Sequence, residues 1–401
     1  MPLLLLTLLI ILFWHPVFFN NEFYGDDLDF LKAFESGQFS LKYMLAPHNE
    51  HFMPIFKLLF FMMFKLFGRN LIPCLMLSLI LHIVNSFLLF KLSEMLFPKN
   101  RWLPFLVAVL FAVNSAYFEV IHWFTIINSA MSLFFLLLTL VLLHRYALEK
   151  KDWLLYSSAV SSFFIPVGFS LGLIGIAFIW LYAWLVLKLP KIRIAVPYLI
   201  AWSVFLVLYG LFVARVGVVG AGSLTLDPLK IVQYVFFGYL GAFLKTMGFS
   251  VLVAPYTIVL SVLLTIQFVF VGYFLLLYLF LNRREERIAA GGERGILWFC
   301  LLSALLCYMA IAVTRSSLGV EAFLSWGRYH YFPILFFSIL AGSMARPVFK
   351  IFSKVYSPRR LKIFFVILFS LYLMTQLAMI RQKSFSPVRV EGALPKLEIP
   401  V

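Results

Sequence analysis

Asp26 and Asp27 stand near the head of the most acidic stretch of this chain. Side chains of that type cap a helix, hold a cation or move a proton. Residues 20–53 hold Glu22, Asp26, Asp27, Asp29, Glu35 and Glu50, six of the 17 Asp and Glu in 401 residues, together with His48 and His51. A helix cap explains one aspartate, because a carboxylate satisfies free amides and the positive end of the helix dipole. It does not explain three acids in four positions. Asp26 and Asp27 are therefore candidate catalytic groups, with proton transfer as their chemistry. Asp27-Leu28-Asp29 also spells the D-x-D with which soluble enzymes hold a metal and a nucleotide, but three letters are a weak signal, and the orientation given below puts this loop on the side without nucleotides.

Further candidates share the same chemistry. Ala46-Pro47-His48-Asn49-Glu50-His51-Phe52-Met53-Pro54 reads as a loop returning between prolines. His48 and His51 suit contact with a phosphate, and Glu50 a pocket role. A divalent metal shared with Asp26 and Asp27 is a less favoured alternative, and a hydrogen-bonded packing loop is the plain one. The order is not H-E-x-x-H, and the prolines leave no room for its helix. Glu119, His122, Trp123, Thr125 and Asn128 form a second cluster. Glu119 with His122 reads as a pocket pair or a water-facing pair, and Trp123 as a pocket wall or an interface aromatic. The third is Ser325-Trp326-Gly327-Arg328-Tyr329-His330-Tyr331-Phe332-Pro333. The forked donors of Arg328 match phosphate oxygens, and Tyr329 and His330 add neutral ones; the alternative is an aromatic belt with a snorkelling arginine. His82 and Asn85 read as hydrogen-bonding residues within the bundle, and His15 and His144 carry no assigned role.

The elements that position these groups follow from composition. Hydrophobic residues make up 63% of the chain and charged residues 12%, with a mean hydropathy of +1.00, far from the soluble globular range. Continuous apolar runs long enough to cross a hydrocarbon core must be helices, since lipid leaves no other partner for the backbone. The expected fold is therefore all-α, a single polytopic bundle over 1–401. Eleven spans are placed near 3–19, 71–96, 103–119, 129–146, 153–169, 171–188, 194–215, 251–281, 296–314, 329–345 and 361–380, and 231–249 is either a twelfth span or a surface helix. The first external loop, 20–70, carries the candidate site and two amphipathic interfacial helices, near 27–36 and 55–67. Lys57 and Lys65 are read as facing the interface.

The basic loops, from Lys99/Arg101 through Arg346–Lys362, fall on one side of this topology, which makes that side cytoplasmic and the acidic loop external. The net charge of +16 is thus an orientation signal. Scattered among short loops, it forms no face for nucleic acid. The N-terminal run reads as a retained first span rather than a signal peptide. Cys74, Cys300 and Cys307 fall within spans and suggest neither disulfides nor metal spacing. No Asn-x-Ser/Thr sequon occurs, in keeping with a bacterial inner or plasma membrane.

Three stretches resemble the GT-C superfamily of integral-membrane glycosyltransferases, which includes protein O-mannosyltransferases and aminoarabinose transferases. They are Asp26-Asp27 after the first span; His51 and Pro54 through Phe67-Gly68-Arg69-Asn70, Leu81–Ser86 and Leu110–Asn114; and Arg328–Pro333. The resemblance implies transfer of a sugar from a polyprenyl-phosphate donor to a lipid, glycan or protein acceptor on the outer side. Asp26 would be the base and Asp27 its helper, and no cofactor or metal would be required. It places the donor phosphate at Arg328, Tyr329, His330, His48 and His51, and the acceptor or pocket at Glu50, Glu119, His122 and Trp123. Many relatives carry a large soluble C-terminal domain, whereas none is expected after the last span of this sequence, so acceptor recognition would fall to the bundle and its loops. The alternative from another class is a transporter or flippase for lipid-linked sugars. Such proteins carry ionisable residues in mid-span, and few are found here.

Overall fold

The computed structural model describes residues 2–19, 22–48, 51–100, 102–189, 191–212, 227–247, 291–315, 326–353 and 356–385. Glu50, the expected span 251–281 and the tail beyond 385 lie outside the described residues. Among the described residues every named element is helical. In chain order the helices are α1 Pro2–Trp14, α2 Asp26–Glu35, α3 Leu41–Leu45, α4 Pro54–Phe67, α5 Ile72–Leu96, α6 Leu103–Ala112, α7 Phe118–His122 and α8 Ile127–Glu149. There follow α9 Asp152–Phe163, α10 Ile165–Gly168, α11 Gly175–Leu181, α12 Lys191–Phe212, α13 Pro228–Thr246, α14 Gly291–Arg315, α15 Tyr331–Phe352 and α16 Pro358–Phe385.

Seven described stretches are long and apolar enough to cross a membrane: Pro2–Phe19, Ile72–Leu96, Leu103–His122, Phe124–Glu149, Ile194–Phe212, Arg294–Arg315 and Arg359–Ser384. The outer helices leave large apolar side chains uncovered, among them Ile200 and Val207 of α12 and Val366 and Ile367 of α16. A face of that kind is stable only against lipid. This is an integral membrane protein. Two expected spans are shorter and more broken than their apolar runs suggest. Residues 153–169 divide into α9 and α10, the break falling beside Pro166, and Ser170–Val186 passes from a 3-10 turn through α11 to a π turn. Residues 231–246 of the segment 231–249 belong to α13, which packs against α14 and α15 through contacts such as Tyr239 on Phe337.

Two local features position the site. The first is an aromatic platform from the first loop. Leu31, Phe30 and Phe34 of α2 fall on one face and are buried, with Phe30 against Phe56 and Phe60 of α4. Phe39 stacks on Phe61, ring centroids 3.6 Å apart. Here the expectation for Lys57 fails. Its side chain is buried rather than interfacial, and its ammonium donates to Tyr43 O at 2.9 Å and Ala46 O at 2.7 Å. It thereby satisfies carbonyls at and just beyond the end of α3 that the helix itself leaves open. Burial lowers its pKa to about 8.

The second feature is a broken span. The apolar run 103–119 does not form one helix; α6 stops at Ala112. Asn114 ends it by turning its side chain to accept from Ala116 N at 2.9 Å, the local competition with helix that Asn is suited to. The freed carbonyl of Ala112 accepts from the Trp14 indole (2.8 Å) and bonds with His82 Nε2 (2.9 Å). From Ser115 to Ile126 the chain then proceeds in short turns and the brief α7. These turns bring Glu119, His122, Trp123 and Thr125 to the rim of the bundle.

Candidate functional site

Asp26 opens α2, and Gly25 before it adopts φ +57. Two constraints meet at Gly25. A side chain strains that backbone conformation, and a Cβ there would lie 2.6 Å from Cζ2 of Trp123. The glycine thus lets the acidic helix close on the rim turns. Gly327 does the same on the far wall: its Cβ would fall 2.3 Å from Ala116 O, so the Arg328 turn packs directly on the broken span.

The two aspartates have different surroundings. Asp27 is fully buried. Its Oδ1 accepts from Thr125 N at 2.7 Å and from the Thr125 hydroxyl, which ties α2 to the rim. Burial, only partly opposed by those hydrogen bonds, pushes its carboxyl up to about 7. Asp26 is partly exposed, with His48 Nε2 3.7 Å from its Oδ2. Burial acts to raise it, but His48 and Arg328 beside it outweigh that and hold it below the ordinary carboxylate value. Asp26 is therefore ionised and accessible, whereas Asp27 is enclosed. Asp29 is exposed on the helix surface. At i and i+2 on a helix, Asp27 and Asp29 point apart, so the D-x-D spelling forms no joint ligand set.

Residues 48 and 51 pair as an isolated bridge, each backbone N–H donating to the other's carbonyl at 3.0 Å. His51 Nδ1 accepts from Ser170 N at 3.2 Å, which puts the ring proton on Nε2. The ring stacks on Phe169 at 5.3 Å, and burial lowers its pKa to about 4. His51 is therefore a neutral donor at pH 7.

Opposite stands Arg328. Its backbone N–H and its guanidinium both donate to Glu119 Oε2, at 3.2 and 3.4 Å. The guanidinium lies over the rings of Trp326, Trp123 and Tyr329, at 4.4, 5.1 and 5.2 Å. Burial acts to lower its pKa, and Glu119, Tyr329 and Asp26 together more than compensate, so the charge is permanent. The Tyr329 hydroxyl accepts from Arg315 Nε at 3.2 Å.

Asp26 and Arg328 line one cavity of about 860 Å³, and His51, Trp123, Tyr329 and Arg315 line it with them. Leu306, Met309, Ala310 and Val313 of α14, the helix that ends in Arg315, and Leu173 beside α11 add apolar lining. The cavity can hold both charge and hydrocarbon. Several expected site residues stand elsewhere. His330 does not line the cavity; it is buried in the bundle with Nδ1 2.8 Å from the Tyr308 hydroxyl, because the turn at Gly327–His330 presents 328 and 330 to different sides. His122 Nδ1 bonds to the Tyr24 hydroxyl at 3.2 Å. Glu119 stands behind Arg328 as its counter-ion. His48 reaches the cavity only through Asp26. Among the described residues no three His, Cys, Asp or Glu side chains group as a metal would require.

Arg315 is the charged one among the cavity residues that the sequence reading missed. A signal was present: it ends its span on the side opposite the basic loops, where the orientation rule places few cations. Compared with protein-family models and with curated proteins, the chain matches none.

Proposed function

We propose that this protein is a membrane glycosyltransferase of the GT-C type, moving a sugar from a polyprenyl-phosphate carrier to the hydroxyl of a lipid, glycan or protein. The observation that carries this reading is the sharing of one half-polar, half-apolar cavity by an ionised carboxylate, Asp26, and a permanent cation, Arg328. The basic loops orient that cavity toward the outside.

In the proposed reaction the acceptor oxygen attacks the anomeric carbon while Asp26 takes its proton. The new C–O bond forms as the bond from the anomeric carbon to the phosphate oxygen breaks, and polyprenyl phosphate departs with the electron pair. Arg328 lies ready for the growing charge on that phosphate. Its aromatic surroundings exclude water, which strengthens the interaction. Tyr329 and the Nε2–H of His51 are neutral donors in the same cavity. The apolar wall of α14 takes the first isoprene units. Asp27 is a positioning residue in this scheme: it fixes α2 to Thr125 and so sets where Asp26 stands. The scheme draws on carboxylate and guanidinium and calls on no metal.

The test uses purified full-length protein with a panel of polyprenyl-phosphate sugars, product formation being read by mass. A product with the wild type and none with Asp26→Asn, at unchanged thermal stability, is expected. Full activity of the Asn variant removes Asp26 from the reaction. A transporter of lipid-linked sugars instead gives no product with any donor.

A further inference from the structure

A second hollow, of about 880 Å³, runs between α6, α15 and α16. It shares no lining residue with the acidic cavity. Leu106, Leu110, Phe349 and Phe369 make its wall, and Val366, 65% exposed, stands at its side. Its polar residues gather at one end: Asn100, Trp102 and Lys362. That end is remote from Asp26. At the other end of α16 Lys383 donates to Ser115 O at the rim, about 30 Å along the helix from Lys362.

The depth of the hollow is informative. From Lys362 to Tyr372 α16 rises about 15 Å, and there the Tyr372 hydroxyl donates to Leu110 O at 3.1 Å, closing the floor. About 15 Å is half of a hydrocarbon core, the depth of one leaflet. Charge at the mouth is just as specific. Arg359, Arg360 and Lys362 stand at the start of α16, and its first turn holds no acid. The amino end of a helix is itself positive, so these cations repel each other and the dipole. Of the three, Lys362 lines the hollow, and a phosphate drawn to it relieves both. Trp102, 78% exposed, belongs at headgroup depth.

We propose that this hollow binds an anionic phospholipid from the leaflet on the basic side of the bundle, with an acyl chain along Leu106 and Phe369 and the phosphate at Lys362. A zwitterionic lipid brings its own ammonium to the same place and gains less. The site is independent of sugar transfer, and its failure would leave the transferase reading intact.

The experiment takes the full-length protein in mild detergent and adds phosphatidylglycerol or phosphatidylcholine, counting retained lipids by native mass spectrometry and following Tm. One phosphatidylglycerol per chain is expected, with a rise in Tm that phosphatidylcholine does not give. Lys362→Gln is expected to weaken retention about fivefold, the worth of one cation at a lipid surface. Val366→Trp, blocking the side of the hollow from an exposed position, abolishes retention and leaves the lipid-free Tm unchanged. Equal retention of both lipids, retention untouched by Val366→Trp, or no retained lipid overturns the proposal.

Discussion

The bundle interior and its rim use the same side chains in opposite ways. Inside, histidines are paired with tyrosines: His82 with Tyr331 at 3.0 Å, His144 with Tyr182 at 2.6 Å and His330 with Tyr308 at 2.8 Å. Each pair joins two elements far apart in the chain. Asn85 extends the first, donating to the Tyr331 hydroxyl and to Ala130 O. These groups hold one another within the apolar interior. At the rim His122 keeps a tyrosine, Tyr24, but the two histidines nearest Asp26 meet other partners, an aspartate for His48 and a backbone amide for His51. There the charged groups border an open volume. A polar group that spends its hydrogen bonds on its neighbours holds the fold. One that keeps a face toward a cavity is available to a ligand.

That contrast is most easily broken by exchanging the two kinds of residue. Asp26→Asn is expected to lower the transfer rate by about 10²- to 10⁴-fold, the usual worth of a positioned base, while Tm stays within error. The neighbouring Asp27→Asn, whose amide oxygen can still accept from Thr125, is expected to do the reverse, retaining transfer and changing the pH dependence of stability. The sign follows from proton binding. The Asp27 carboxyl titrates near 7 when folded and near 4 when unfolded, so the folded protein holds the extra proton between those values. Its stabilising contribution is complete below about pH 4 and is lost as pH rises to about 7, on the order of a few kcal/mol. Unfolding followed from pH 4 to 8 should show that slope in the wild type and a flatter line in Asp27→Asn.

Smaller effects test the interior. Tyr331→Phe removes the hydroxyl shared by His82 and Asn85, and about 1–3 kcal/mol of stability should go with it. Transfer measured below the lowered Tm should be near wild type; a large loss of rate at intact stability would place Tyr331 in the reaction and dissolve the distinction. The least effect is expected from Glu35→Gln. Its pair with Arg69 is short, 2.6 Å, but Arg69 is 73% exposed, and an exposed ion pair adds little. No measurable shift in Tm should follow.

What the sequence revealed and what it hid follow one physical rule. Chemical character that resides in a single residue type was legible. Apolar runs announced membrane helices, Gly25 announced a turn, and the mixture of Arg328 with aromatic residues announced a cation in an aromatic setting. Position within a helix was not. Asp26 and Asp27 are alike on paper, and only the approach of Thr125 buries one and leaves the other open. Arg328 and His330 share a motif, yet the turn at Gly327 sends them apart. The end of α6 at Ala112 was hidden by hydrophobicity, because Val113 continues the apolar run and only Asn114, which reads as an ordinary polar residue, competes for the backbone. Lys57 looked interfacial because its tertiary partners, carbonyls in α3 and at its C-cap, leave no trace in composition.

The nest of rings around Arg328 has a practical outcome. Trp326 and Trp123 hold their indoles 4.4 and 5.1 Å from the guanidinium carbon, and both border the same volume as Asp26. A phosphate drawn to that cation would alter the field across both chromophores. The protein thus contains its own optical reporter, and titrating a lipid phosphate while recording tryptophan emission would reveal occupancy without any attached label.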